Sequence, residues 1–385
     1  MKYIFIYILL FLAIGCREKY VPEFSSPPTG YLVVEGNINS GGPTIVHLSR
    51  TSPLSTVTRV REENAYVRIE GSDNKMYDLT ETSSGVYQAN NLELSNSTKY
   101  RLHITVKDGK DYLSQFEELK IAPPIDSISW QRLDGNGDVQ FHVNAHDDQN
   151  KTQYYLWDYV ETWEFHSPYL SFLKYFGDTS PGGQGAYVGY KDSVNYSFDP
   201  SMFACWRSEI STSLEIGSTA KLTQDVVFYP IARVPRRSKK MSFLYSINVR
   251  QMALSKEAFE YIEKMKKNTE NTGTIFDPQP SELKGNIYCV NNPAETVLGY
   301  VSASTITEKR KFITREEIPN WGYTPNCELI TIANNPDSIA VYRAWFPSEI
   351  RDVFRDNILS FSAVNTLNCI DCRVEGTNVK PDFWP

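Results

Sequence analysis

Apolar and polar positions alternate along much of this chain. Ala65, Val67 and Ile69 alternate with Tyr66, Arg68 and Glu70, and Tyr100, Leu102, Ile104 and Val106 face away from Arg101, His103, Thr105 and Lys107. A period of two marks a strand with one buried face. Two shorter runs of β-formers precede these, Tyr31-Leu32-Val33-Val34 and Thr44-Ile45-Val46-His47-Leu48. Turn residues separate the runs at Gly41-Gly42-Pro43, Gly71-Ser72-Asp73-Asn74, Ser83-Ser84-Gly85 and Asp108-Gly109;. Short strands at this spacing predict a β-sandwich over residues 30–123, closed by Ala122-Pro123-Pro124;.

The pattern continues as a second, larger β-rich unit over residues 125–385. Leu133–Asp138 reads as a hairpin turn between Ser127–Arg132 and Val139–Val143, Tyr154–Phe165 as a long aromatic strand, and Thr179–Gly189, with four glycines, as an exposed loop;. One segment changes period. Ser255 stands at an N-cap position, Glu257 in the first turn, Phe259, Ile262 and Met265 form an apolar stripe, and Lys266 and Lys267 lie near the end;. Glu260 with Lys264 and Glu263 with Lys267 are i,i+4 pairs, so a docked α-helix is expected near residues 255–271, stopped by Gly273;. No repeat of fixed period occurs.

Composition agrees with a mainly β fold. Tyr, at 24 residues against 19 Phe and 7 Trp, accompanies abundant Thr, Ser and Asn, a bias towards strands and turns;. A length of 385 residues suits two or three domains;. The net charge of −7 argues against a general nucleic-acid partner, and 5 His and 6 Cys leave little material for a metal site;.

The N-terminus carries an address. Lys2 precedes an uncharged apolar run, Tyr3–Ile14, too short to span a bilayer comfortably, which ends in Ala13-Ile14-Gly15-Cys16;. Residues 1–15 resemble a bacterial lipoprotein signal peptide, although Ala13 stands where Leu is usual, and Cys16 is the expected lipidation site and mature N-terminus. Acyl chains contribute about 0.8 kcal/mol per buried methylene, so several on one residue hold a protein firmly on a membrane. Residues 16–29, with Pro22, Pro27 and Pro28, read as a flexible spacer;. No later stretch is apolar enough to span, so a soluble body on a lipid tether is expected. Charged residues after Cys16 resemble the export signals of Bacteroidetes surface lipoproteins, which implies an outer-membrane, outward-facing position.

Two wider resemblances follow. Residues 65–114 look like the transthyretin-like and immunoglobulin-like modules of bacterial surface proteins. Thr272-Gly273-Thr274-Ile275-Phe276-Asp277-Pro278-Gln279-Pro280, Gly285-Asn286-Ile287, Asn292-Pro293-Ala294-Glu295 and Leu298-Gly299-Tyr300 form a second set. With Cys205-Trp206, Cys369-Ile370-Asp371-Cys372-Arg373 and Lys380-Pro381-Asp382-Phe383-Trp384, they resemble an uncharacterised family of Bacteroidetes outer-membrane lipoproteins, domain-of-unknown-function family 4249. Members are typically encoded beside TonB-dependent receptors, so the resemblance implies such a receptor as partner. It brings no catalytic residues.

The chemical motifs favour structural roles. Beyond Cys16 there are Cys205, Cys289, Cys327, Cys369 and Cys372. Translocated proteins meet an oxidising compartment, so disulfides are the default, and an odd count leaves one thiol over. Cys289, inside the strand-like Asn286–Val290, is the expected free thiol; the other four are disulfide candidates with three possible pairings;. Cys369-x-x-Cys372 lacks the βαβ setting of a redox pair and the second ligand pair of a zinc site. His142 and His146 share a strand face beside Asp147 and Asp148, a geometry open to a metal but commoner on a solvated face;. Asp134, Asn136 and Asp138 have the early spacing of a calcium loop, yet Val139 stands at the glycine position and no closing Glu follows;.

Arg233, Arg236, Arg237, Lys239 and Lys240 form the one basic cluster, open to an anionic lipid or acidic partner or simply solvated;. Acidic pairs such as Glu62-Glu63, Glu117-Glu118 and Glu316-Glu317 are solvated charge without a pocket;. Asp126, Asp192 and Asp337 each open an Asp-Ser-aliphatic triplet, resembling the O-glycosylation acceptor pattern of Bacteroidetes envelope proteins. No nucleophile elbow, His-Glu-x-x-His or phosphate loop occurs. The expectation is therefore a non-enzymatic lipoprotein without catalytic residues, metal or cofactor, acting as accessory subunit of a TonB-dependent transporter in assembly or substrate capture. Aromatics around Tyr154–Tyr175 and Tyr187–Tyr196 leave a stand-alone glycan- or peptide-binding lipoprotein as one alternative;. An envelope hydrolase is the other.

Overall fold

A computed structural model describes residues 30–53, 56, 58–270, 283–355 and 358–385. The leader, Cys16, the spacer and Gly273 lie outside the described residues. The fold is mainly β. The first sandwich packs Leu32–Ser40, Thr44–Arg50, Val86–Ala89 and Met76–Ser83 against Tyr66–Gly71, Lys99–Thr105 and Asp111–Ser114. The alternation decides which side chains go inside: Val67, Ile69, Leu102 and Ile104 meet Leu32, Val34, Val46 and Leu48 in one core. Arg68, Glu70, Arg101 and His103 on the opposite face join in ion pairs, with Glu70 Oε2 2.7 Å from Arg101 and Oε1 2.7 Å from His103 Nδ1.

The chain returns to this sandwich much later. Ile287–Cys289 pairs antiparallel with Asp111–Ser114, and Val301–Thr314 runs parallel to Leu32–Ser40. Ile287, Cys289, Val301 and Ala303 complete the first core, although the sequence places residues 125–385 in a second unit. Glycine allows the return. Gly299 has φ +124°, and a Cβ there would lie 2.0 Å from the Val34 carbonyl oxygen. The close approach lets Leu298 bridge two strand residues, accepting the Val34 N–H at 2.9 Å and donating its own N–H to the Leu32 carbonyl at 2.9 Å;.

Val301–Thr314 then continues into the second sandwich, pairing with Leu244–Ala253, which pairs in turn with Tyr154–His166. A three-stranded sheet of Ile125–Arg132, Val139–Asp147 and Asp225–Val234 covers this layer. Residues 133–138 make the turn between the first two of those strands, with Asp134 and Gly135 at positive φ. Phe141, Val143, Trp157, Trp163, Phe165, Tyr245 and Ile247 fill the core between the sheets. Trp157 Nε1 donates to Gln251 Oε1 at 2.8 Å, and Gln251 Nε2 donates to the Pro123 carbonyl at 2.8 Å. The buried indole is thus satisfied, and the connection between the sandwiches is fixed by the same amide.

The helix Lys256–Glu270 docks across both sandwiches. Ser255 Oγ accepts the Ala258 N–H at 3.2 Å, Lys267 pairs with Glu263 at 3.2 Å, and Phe259 packs on Tyr154. Tyr261 OH accepts the Gly299 N–H at 3.1 Å, so the helix also holds the returning segment.

A third assembly, not separated by the sequence reading, consists of Leu329–Ala333, Ile358–Val364 and Phe346–Arg355 under the hairpin Leu173–Phe176/Tyr187–Tyr190. Leu173, Val188, Ile332, Phe361 and Ala363 form its core. The exposed loop expected over Thr179–Gly189 therefore ends earlier. Gly182 and Gly185, at φ +82° and +75°, serve the turn, whereas Gly189 lies in a strand opposite Lys174, between the Phe176 and Tyr187 rings.

Cys205 is joined to Cys372 and Cys327 to Cys369, with Cα–Cα distances of 5.7 and 6.0 Å, and Cys289 is a buried free thiol. The first bridge fastens the C-terminal tail along Ala204–Ile210, the last strand of the large sheet. Trp206 and Thr377 exchange backbone hydrogen bonds at 2.8 and 2.9 Å. Further on, Phe383 lies under the Arg310 guanidinium and Trp384 packs edge-on against Phe312. The tail occupies the polar edge that an end strand would otherwise present to other chains.

Candidate functional site

A cleft of about 550 Å³ opens where Tyr154–His166 ends, beside the turn Lys239–Met241 and residues 315–325. That volume is within the range of small-molecule and side-chain pockets. His166, the last residue of its strand, sits between Phe203 and Phe243, with ring centroids 4.7 and 3.8 Å away. Its Nε2 is 2.8 Å from Glu164 Oε1, and the other oxygen of Glu164 accepts the Trp384 indole N–H at 3.2 Å. The tail therefore positions the carboxylate that orients the imidazole.

The floor follows from local capping. Ser238 Oγ accepts the Lys240 N–H, starting a single 3₁₀ turn that places buried Met241 under the cleft. Ser238 also accepts the Trp321 indole N–H at its carbonyl, at 2.7 Å, so the buried Trp321 closes one wall with its polar atom satisfied. Arg132 lies over the same ring, 5.8 Å from its centroid. Tyr323 stands beside it, its hydroxyl pKa raised by burial and by the Glu375 charge. Arg315 is exposed on the rim.

The lining serine hydroxyls are engaged with backbone: Ser167 donates to Met202 O at 2.9 Å and Ser242 to Lys239 O at 2.8 Å. A nucleophile–base pair requires the hydroxyl to point at the imidazole. The arrangement fits binding of an apolar group better than covalent chemistry. A wider polar groove of about 900 Å³ runs between the two sandwiches, past Lys120–Pro124, His146–Gln149 and the start of the helix.

The histidines and the calcium-loop-like residues singled out from the sequence lie outside this cleft. His142 stacks on Phe228 at 4.5 Å and its pKa is lowered by burial. His146 pairs with Asp126 at 2.6 Å, which raises its pKa. The shared strand face thus carries two imidazoles with separate partners. Asp138 accepts Arg233 Nε at 2.7 Å and the Arg236 N–H at 2.8 Å, bracing the adjoining loop. Among the described residues no three His, Cys, Asp or Glu side chains converge as metal ligands.

The basic cluster is largely neutralised within the chain. Beside Arg233–Asp138, Lys239 meets Glu375 at 2.6 Å, and Lys240 meets Glu161 and Glu209 at 2.6 and 3.0 Å. Of the Asp-Ser-aliphatic serines, Ser127 and Ser193 are exposed, while Ser338 sits in the helix Pro336–Val341. Tyr187 and Tyr196 are also exposed. Asp192 holds the Tyr196 loop by accepting from Val194 N, Asn195 N and Ser197 Oγ, contacts that bring its pKa down to about 2.

The cleft residues Phe203, Phe243, Arg315, Trp321 and Tyr323 were not among the sequence candidates. One signal was available: Trp321 and Tyr323 lie among Pro319 and Pro325 in a stretch without strand periodicity, a place where aromatic side chains have no sheet face to fill.

The family model described as Domain of unknown function (DUF4249) matches residues 17–310. No curated protein matches the chain at a significant level. Two solved structures show a faint likeness. A chitinase from Bacillus thuringiensis is 12% identical, with a TM-score of 0.14, over 51% of this chain and 30% of that one. A Salmonella alpha-2-macroglobulin variant is 8% identical, with a TM-score of 0.18, over 89% of this chain and 17% of that one. The chain spans less than a third of the length of either structure, and such TM-scores fall short of a shared fold.

Proposed function

The chain belongs to the domain-of-unknown-function family DUF4249, and from that premise we propose that it is a non-enzymatic, lipid-anchored outer-membrane protein of a Bacteroidetes-type cell. In this reading it faces the cell exterior and serves as accessory subunit of a TonB-dependent transporter, in complex assembly or substrate capture. The observation that carries the reading is the apolar run Tyr3–Ile14 ending in Ala13-Ile14-Gly15-Cys16, which hands a β-rich body to a membrane through one lipidated thiol;. The cleft beside His166 supports the capture role, because it offers apolar walls while both of its serine hydroxyls are held by backbone carbonyls.

The anchor is tested by Cys16→Ala. The wild-type protein is expected in the outer-membrane fraction, partitioning into detergent and carrying acyl chains on its N-terminal peptide by mass spectrometry. The variant is expected to lose acylation and to leave the membrane fraction. Unchanged membrane retention without acylation would remove the basis of the reading. The aromatic cleft also favours the second reading, a stand-alone peptide-binding lipoprotein, which differs in predicting no receptor at fixed stoichiometry.

A further inference from the structure

We propose that the cleft beside His166 binds a peptide by taking up one apolar side chain between Phe243, Tyr323 and Trp321 while Arg315 pairs with a neighbouring carboxylate of the same peptide. The inference rests on the capture reading and names its ligand class.

Two observations choose the apolar part. The walls are mostly aromatic, proline, isoleucine and methionine side chains, and several of the polar groups that could have served a sugar are already used. Ser167 and Ser242 donate to backbone carbonyls, Trp321 Nε1 to Ser238 O, and His166 Nε2 faces Glu164. A sugar ring brings several hydroxyls into a site, and each one buried without a partner is unfavourable. An apolar side chain brings none. The volume of about 550 Å³ accommodates a large apolar side chain with its flanking backbone;.

Charge chooses the second part. The chain has a net charge of −7, yet no Asp or Glu lines this cleft; its charged or protonatable side chains are His166, Tyr323 and Arg315. Among the described residues Arg315 has no ion pair, a state it shares with others such as Arg132, Arg236 and Arg237, and of these it is the one that lines the cleft. The adjoining acids make their hydrogen bonds within their own turn: Glu317 Oε1 accepts the Thr314 N–H at 3.1 Å, and Glu316 is held by its own backbone N–H and the Thr314 side chain, feeling the Arg315 charge only through space. A guanidinium without a direct ion-pair contact at the mouth of an apolar slot complements a carboxylate next to an apolar side chain. That carboxylate has two sources in a peptide, the C-terminus or an acidic side chain.

The test is calorimetric titration of the mature lipoprotein in mild detergent. The probes are N-acetyl-glycyl-glycyl-phenylalanine, its C-terminal amide, N-acetyl-phenylalanyl-aspartate amide with its asparagine counterpart, and N-acetyl-glycyl-glycyl-serine. At least one acid form is expected to bind about tenfold more tightly than its neutral counterpart, as a charge-assisted hydrogen bond provides. Which one does so identifies the source of the carboxylate. The serine peptide is expected not to bind.

Arg315→Gln, at an exposed position, is expected to abolish the acid preference while the neutral phenylalanine peptides keep their affinity. Phe243→Ser is expected to weaken all phenylalanine peptides, with an unchanged thermal midpoint as the control for folding. Equal affinity of both acids and their neutral counterparts, binding of the serine peptide as tight as that of phenylalanine, or an acid preference surviving Arg315→Gln would overturn the proposal. A receptor that co-purifies with a lipoprotein binding none of these peptides would overturn it too, while leaving the accessory reading intact.

Discussion

Replacing Cys205 and Cys372 together by alanine is expected to lower the unfolding free energy by about 4–5 kcal/mol, the loop-closure value for a bridge of this span. The bridge joins residues 167 apart in sequence, and the nested Cys327–Cys369 bridge, spanning 42, shortens the loop only modestly. The effect reaches beyond chain entropy. Cys372 is the covalent root of the tail whose Thr377 pairs with Trp206 and whose Trp384 donates to Glu164. Releasing it uncovers the strand Ala204–Ile210 and frees the carboxylate that orients His166. The measurement is the urea unfolding free energy of the purified protein under non-oxidising and non-reducing conditions, taken from midpoint and slope together because releasing the cross-link expands the denatured chain. A second readout is self-association of the variant below its unfolding transition, expected from an exposed sheet edge. A loss of less than 1 kcal/mol, with a monomeric variant, would contradict this account of the tail.

The second large effect is expected at Lys240. Its ammonium lies 2.6 Å from Glu161 and 3.0 Å from Glu209, and 4.9 Å from the centre of the Trp163 ring. Glu161 is buried and also accepts the Tyr245 hydroxyl at 2.7 Å. The two carboxylates raise the Lys240 pKa against its burial. Lys240→Met keeps the apolar stem but strands a buried carboxylate, and removing one partner of a buried pair costs about 3–5 kcal/mol. Lys240→Met combined with Glu161→Gln is expected to recover more than half of that loss, because no buried charge then remains unpaired. A double-mutant cycle read by urea unfolding gives both numbers. Simple additivity of the two substitutions would show that the pair is not coupled.

Sequence alone carried the local parts of this structure. The alternations at residues 65–70 and 100–106 became strands with the expected inner faces, and Ser255 caps the helix it was expected to cap. Each of these depends on neighbours a few residues away. Val301–Thr314 was illegible for the opposite reason. It serves two cores, its burial changes partway along, and no single period describes it. The third assembly was missed because its hairpin, at residues 173–190, meets its sheet at residues 329–364, and the glycines of the turn hid the strand beside them.

The cleft shares that character. His166, Phe243, Arg315 and Trp321 come from separate segments, and only the meeting of the strand end, the capped turn and the tail places them together. The basic cluster shows the converse limit of a local reading. Five cations in eight residues left both a surface for anions and a solvated loop open, whereas three of them face carboxylates from distant segments.

The central claim, an accessory role beside a transporter, is tested most directly by purifying the native lipoprotein from its own outer membrane in mild detergent. The proteins that accompany it are then identified and quantified, with the Cys16→Ala chain as control. The account predicts a TonB-dependent receptor at near-equal stoichiometry, absent from the control. A solitary lipoprotein, fully acylated and folded, would contradict it.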